Sequence, residues 1–158
     1  MKTMKKIIIL ILAIQVSLVA CKKERPELEP AGSNVEGIQD DWTLSKVVQY
    51  DEITQKELDV SSVYIGADPM KINFKIIGTD TSYSVIKGSS INYLGTAGNW
   101  SFDDNDYPTK LILNIAGNDN YMPLLRTVRP TSQSLEFKFT KVCSGKKVVS
   151  YKYSFKRS

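Results

Sequence analysis

The chemistry a chain can perform is bounded first by the side chains it lacks, and this one has no histidine among its 158 residues. That absence removes Ser-His-Asp and Cys-His nucleophilic machinery, His-bearing zinc sites and the commonest general base. Asp103, Asp104, Asn105 and Asp106 line up four oxygen-bearing side chains. Calcium takes oxygen ligands, but an EF-hand loop needs them at alternate positions, with Gly at the sixth and Glu at the twelfth. That pattern is absent, so the run reads as a turn whose Asp and Asn side chains bond their own backbone. Gly117-Asn118-Asp119-Asn120 reads the same way. Cys143, in "KVCSGKK", has Lys146 and Lys147 nearby to favour a thiolate, but no base accompanies it and it is taken as inert. No base and nucleophile stand at readable spacing. The expectation is a protein that is not an enzyme, with no catalytic residue, no metal and no cofactor.

One reactive residue remains. In "IIILILAIQVSLVACKKERPELEP", Lys2, Lys5 and Lys6 precede an apolar run from Ile7 to Ala20 that ends at Cys21. Spanning a bilayer takes about 20 helical residues, more than this run supplies. A basic start, a short apolar middle and small residues at the end describe an export signal. Leu18-Val19-Ala20-Cys21 resembles the lipobox of bacterial lipoproteins. The resemblance implies that residues 1–20 are a signal peptide, that the Cys21 thiol receives a diacylglyceryl group, and that the new amine is acylated. Each buried methylene contributes about 0.8 kcal/mol, so several acyl chains, palmitate among their kind, hold a protein stably on a membrane. The implied address is the outer membrane, lipid-anchored, on its periplasmic face or at the cell surface. Lys22, Lys23 and Glu24 loosely resemble the charged export signal of surface lipoproteins in Bacteroidetes-type bacteria. From Lys22 to Asp41 the chain is rich in charge, Pro and Gly and poor in large apolar residues. It reads as a flexible tether, so residues 21–41 are assigned to the lipidated cysteine and its linker.

Removing the three leader lysines lowers the formal net charge from +4 to +1. No Lys/Arg run is interleaved with aromatics as in nucleic-acid-binding motifs, so no nucleic-acid partner is expected. With Cys21 lipidated, Cys143 has no partner for a disulfide. Residues 42–158 must hold together by their core.

From Trp42 onward apolar residues recur every second position, the signature of half-buried antiparallel strands. "WTLSKVVQY" puts Trp42, Leu44, Val48 and Tyr50 on one face with Lys46 as a misfit. "MKINFKI", "SLEFKF" and "VSYKYSFK" alternate cleanly, and "TSYSVIK", "NWSF", "KLILNI" and "YMPLLRTV" do so more weakly. Turn residues separate the runs, apart from a long connection over Asp51 to Pro69 with room for a short helix or a lid-like loop. Eight such strands close naturally into an up-and-down barrel, and an eight- to ten-strand sandwich is the other arrangement they permit. The inward side chains are Trp42, Phe74, Tyr83, Trp100, Phe102, Phe137, Tyr151 and Tyr153. They either fill the interior or line a pocket for one small apolar or amphipathic ligand. Lys138, Lys152 and Lys156 share the outer face of the last hairpin, where they either meet anionic partners or are simply solvated.

Residues 42–158 resemble the lipocalin-like lipoproteins of unknown function found in Bacteroidetes-type bacteria. The lipobox, the tether, "DWTLSKVVQYD", "GNWSFDD", "LEFKFTK" and "VSYKYSFK" carry the likeness. It implies an all-β, eight-stranded antiparallel up-and-down barrel of the lipocalin-like (calycin) kind, and Arg126 or Arg129 closing one end over Trp42. The function implied is a membrane-anchored, non-enzymatic binding module. The alternative is a structural or adaptor lipoprotein that docks on another envelope protein through its surface.

Overall fold

Ser33 opens the described part of the chain. Its hydroxyl accepts from the Glu36 N–H at 3.0 Å, and the Glu36 carboxylate accepts from the Ser33 N–H at 3.3 Å. This capping box starts a five-residue helix, α1, Asn34–Ile38. The structure, a computed structural model, describes residues 33–158. The expected signal peptide, Cys21 and the expected tether as far as residue 32 lie outside the described residues. The last part of the expected tether is folded. Ile38 is fully buried, and the Asn34 amide donates to the Asp106 carbonyl at 2.9 Å. One anchored isoleucine and one satisfied amide order a stretch whose composition suggested a linker.

Ten strands follow among the described residues: β1 Asp40–Asp51, β2 Glu57–Asp59, β3 Lys71–Ile77, β4 Asp80–Ile86, β5 Ala97–Gly98, β6 Trp100–Phe102, β7 Lys110–Ile115, β8 Asn118–Pro123, β9 Ser134–Cys143 and β10 Lys146–Arg157. The Asp51 to Pro69 connection holds β2 and a single helical turn, α2, Ser61–Tyr64. All pairings are antiparallel. β1 is the hub of the larger sheet, whose order is β5-β4-β3-β1-β10-β9, with β2 also on β1. The smaller sheet is β6-β7-β8.

The expected ring of eight strands is thus recorded as two sheets, and the places where they meet have physical causes. β5 and β6 are separated by Asn99 alone, whose carbonyl accepts from the Asn114 N–H on β7 at 2.9 Å. Between β8 and β9, pairing reduces to a bridge from Leu124 to Phe137 and a Leu125 N–H bond to the Glu136 carbonyl at 2.9 Å. Pro123 beside it has no N–H with which to extend a ladder.

Two expectations shift in register. Lys46 is accommodated by a β-bulge between Leu44 and Lys46, which turns Val47 inward in place of Val48. An extra residue on one strand reverses the alternation beyond it. The strand expected over 121–128 instead starts at Asn118. Ala116 and Gly117 both take left-handed backbone, φ 52° and 85°, forming a two-residue hairpin turn that makes Asn118 the first paired residue.

Apolar faces of both sheets meet in one core. It runs from Ile38 and Trp42 through Leu44, Ile72, Phe74, Leu111 and Leu113 to Leu135, Phe137 and Phe155.

Candidate functional site

All eight aromatics expected to face inward are buried, from Trp42, Phe137 and Tyr153 at 0% exposure to Tyr151 at 8%. They divide along the interior into three groups.

The first closes one end. The Trp42 indole N–H donates to the Ile38 carbonyl at 2.8 Å. A guanidinium lies 4.6 Å from the centre of the Trp42 ring, and it belongs to Arg157 rather than to Arg126 or Arg129. Arg157 also donates to the Asp40 carboxylate at 2.7 Å, to the Gly37 carbonyl at 2.8 Å and to the Ser132 carbonyl at 2.9 Å. Arg126 is largely exposed and pairs with Glu136 at 3.5 Å. Val149, Tyr151, Tyr153 and Phe155 point inward in turn, so the same alternation carried one step further reaches Arg157, in register with Trp42.

The second group sits where the sheets meet. Phe74 and Trp100 pack edge to face with ring centres 5.7 Å apart, and Trp100 and Phe102 do so at 5.5 Å. The Tyr83 hydroxyl donates to the Leu94 carbonyl at 2.9 Å, so its buried phenol is satisfied within the chain. Burial pushes the ionisation of Tyr83 up.

The third group, toward the β9–β10 turn, is richer in hydroxyls than the sequence suggested. Tyr151 and Tyr153 are joined by Tyr64 from α2 and Tyr93 from the connection between β4 and β5. Tyr64 and Tyr151 have ring centres 5.1 Å apart, Tyr93 and Tyr151 6.3 Å, and Tyr93 stacks on Phe139 at 5.6 Å. The Lys141 ammonium donates to the Tyr93 oxygen at 3.1 Å and lies 4.2 Å from the centre of that ring. Burial and the neighbouring Tyr151 push Tyr64 well above the usual phenol range, and burial does the same to Tyr153. The Lys141 hydrogen bond lowers Tyr93, and the same bond raises Lys141. Tyr153 stands apart from the rest. Its hydroxyl is buried and has no hydrogen-bond partner among the described residues. Strand periodicity could not find Tyr64 and Tyr93, because both sit on connections.

Two of the hollows among the described residues open on the surface. One of about 280 Å³ is lined by Asp41, Lys71, Asn73, Ser84, Ile86 and Ser158. The other, about 230 Å³, is lined by Asn99, Trp100, Ser101, Ile112, Asn114 and Asp119. Two of the three outer lysines of the last hairpin are answered by acids of the first. Lys138 pairs with Glu52 at 2.6 Å and Lys152 with Glu57, both over the Tyr50 ring. Bonds from Lys138 and Ser150 hold the Glu52 carboxyl below its ordinary range.

The acidic turn behaves as its residue types imply. Asp103 accepts from the N–H groups of Thr109 and Lys110 at 2.9 and 2.8 Å, and Asp104 from those of Asp106 and Tyr107. The Thr109 hydroxyl bond first, then these backbone bonds, hold Asp103 at about 2, against an ordinary 3.8. A carboxyl depressed on folding stabilises the fold above its unfolded-state value, and that contribution is lost as pH falls toward the folded one. Asp103→Asn should therefore narrow its stability deficit relative to wild type as pH falls from 3.8 toward about 2. Thermal melts of both proteins across that window check this, and a constant difference would refute it.

No protein-family model matches this chain, and no curated protein matches it. Among solved structures it is similar to the solution structure of a lipocalin whose expression is activated by cell transformation with the myc oncogene. Identity is 14%, the likeness covers 78% of this chain and 71% of that one, and the TM-score is 0.43. No family membership follows from a similarity of that size.

Proposed function

We propose that this protein is a lipid-anchored, non-enzymatic binding module of the outer membrane that takes a small apolar or amphipathic ligand between the inner faces of its strands. The observation that carries the reading is the interior itself. Aromatic rings from both sheets meet in one core, with hydroxyls gathered toward one end. Such an interior offers an apolar body with a few polar groups to orient a guest. We read the two sheets as arcs of a single eight-stranded up-and-down barrel. Supporting this are the one-residue link at Asn99, the Leu124–Phe137 bridge, and the pairing of β10 back onto β1. The lipobox at Leu18–Cys21 supports the anchor.

Native mass spectrometry of the protein after exposure to a total lipid extract tests the binding reading. A discrete added mass is expected, and its absence would sink the proposal. For the anchor, Cys21→Ser should leave the precursor unlipidated and uncut and release the protein from membranes on fractionation. A serine variant that stays with the membrane would refute the lipobox.

The adaptor reading draws on a different feature. Ile53, Leu58 and Val63 are 76%, 61% and 68% exposed along the segment from the β1–β2 turn to α2. Cross-linking in whole cells that returns only the monomer would remove that alternative.

A further inference from the structure

We infer that the outer face of the smaller sheet carries a shallow site for one neutral sugar ring, seated on Ile112 and Tyr121 and held by Asn99, Ser101 and Asp119. The site lies outside the interior and does not rest on the binding reading above.

Three strands set these residues in a grid. Ser101 on β6 is in register with Ile112 on β7, and Ile112 with Tyr121 on β8. In the adjoining row, the Asn99 carbonyl accepts from the Asn114 N–H, and Asn114 is in register with Asp119. Directly opposed residues on neighbouring antiparallel strands share a face, with Cβ atoms about 4.5–5.5 Å apart. Trp100, Phe102, Leu111 and Leu113 are buried, so alternation turns Ser101, Ile112 and Asn114 outward. The hollow of about 230 Å³ is cut into this face. Pockets for drug-sized guests run to about 300–1,000 Å³. This smaller hollow suits a single six-membered ring.

Its polar groups are held in place but not used up. Asn114 is spent within the chain: its amide donates to Asp119 Oδ1 at 2.9 Å, and its own Oδ1 accepts from the Gly117 N–H at 3.1 Å. The first bond aims the Asp119 carboxylate and leaves its other oxygen with no partner among the described residues. The Asn99 amide and the Ser101 hydroxyl, both exposed, likewise bond to no described residue. Tyr121 is 61% exposed, next to the half-buried Ile112. A single exposed aromatic is ordinary on a surface. This one extends the apolar floor of a hollow whose rim is polar.

The kinds of group select the guest. Asp119 only accepts, whereas Asn99 and Ser101 both donate and accept. A cation would leave the donors of Asn99 and Ser101 idle. An anion would meet Asp119, the one charged side chain in the described lining, while Lys110 stands in the next row beside Pro123, outside that lining. A wholly apolar guest would strand the polar rim. A neutral pyranose answers each requirement. Its neighbouring hydroxyls donate to Asp119 and accept from Asn99 and Ser101, and its C–H face lies against Ile112 and the Tyr121 ring.

The test follows backbone amide shifts by NMR in the expected mature chain, residues 21–158, with Cys21→Ser so that no acyl group is present. Methyl glucoside, methyl galactoside and methyl mannoside are titrated separately, each beside the uronate of the same ring. At least one neutral sugar should give saturable shifts at Ser101, Ile112, Asn114 and Asp119. It should also bind about tenfold more tightly than its uronate, the size of one charge-assisted hydrogen bond. Asp119→Asn keeps an acceptor for the Asn114 amide but loses the charge. It should weaken the neutral sugar about tenfold and abolish the preference over the uronate. Tyr121→Ala, at an exposed position, should weaken binding about threefold, the lower end of an aromatic contact. The site is overturned if none of the three sugars saturates, if a uronate binds the parent as tightly as its neutral counterpart, or if both variants bind like the parent. Shifts gathered at Tyr64, Tyr93 and Tyr151 instead would place the sugar in the interior and equally overturn the outer site.

Discussion

Alanine at position 42 is expected to lower stability by about 3–5 kcal/mol, the usual cost of emptying a large buried aromatic site. Trp42 is fully buried, and its indole N–H satisfies the Ile38 carbonyl. Its removal leaves both a cavity and an unpaired acceptor at the base of α1. It also strips the face on which Arg157 lies. For a domain with about 5–15 kcal/mol of total stability, a loss of that size is severe. Arg157→Ala should cost less, about 2–3 kcal/mol, because Asp40 is partly exposed and can recover water. What it forfeits are the bonds to Gly37 and Ser132, which tie α1 and the segment before β9 to the last strand. The two effects should not add. Each mutation removes the same stacking contact, so the double variant should fall short of the sum by about 1 kcal/mol. Urea unfolding of the four proteins measures this, and strict additivity would show that the stack contributes nothing.

The Trp42–Arg157 pair shows what a sequence of this kind reveals about its own structure. Alternation exposed the strands and the inward aromatics, because burial on one face of a pleated strand imposes a period of two. The same rule, followed to the end of β10, points to Arg157. The expectation of Arg126 or Arg129 came from a resemblance instead; Arg126 shares the parity of Met122, Leu124 and Val128, but the strand ends at Pro123 and Arg126 turns out to pair with Glu136. Lys46 was visible as a break in the pattern, but a break does not say whether the chain bulges or the strand stops. The bulge appears only when β10 supplies the facing register. Tyr64 and Tyr93 were illegible for a related reason. Each reaches the interior from a connection, where no periodicity exists, and they meet Tyr151 across long stretches of sequence. The helix α1 carries a local signal, Ser33 and Glu36 at capping-box spacing, but what decides that it folds is Ile38 and Asn34 finding partners far along the chain. Composition reports on propensity and is silent on such partners.

Gly98 yields the second large effect, and for a reason unrelated to backbone freedom. It lies at the end of β5, one residue before the chain passes into the smaller sheet. A Cβ built there would stand 2.1 Å from the Asn114 carbonyl oxygen and 3.0 Å from the Tyr83 ring. The oxygen belongs to the backbone of β7, and β7 is held on both sides, by β6 and by β8. It cannot step aside as a flexible side chain would. Gly98→Ala must therefore drive β5 from β7 or break the Tyr83–Gly98 pairing on β4. Overpacking costs about 1–3 kcal/mol where side chains can adjust, and a backbone obstacle belongs at or above the top of that range. Gly78→Ala is the fitting comparison. Its φ of 63° makes alanine strained, yet nothing lies within 4 Å of the added carbon, so conformational strain of about 1 kcal/mol is all it should lose. If the two sheets are arcs of one wall, the Gly98 variant should also lose amide protection at Val85 and Asn114 together. Those N–H groups bond to Thr96 and Asn99 on either side of the junction. Hydrogen exchange read by NMR distinguishes the outcomes. Loss at one amide with the other unchanged would mean that the sheets respond separately, and a Gly98 variant no less stable than the Gly78 one would remove the close approach as the reason for glycine there.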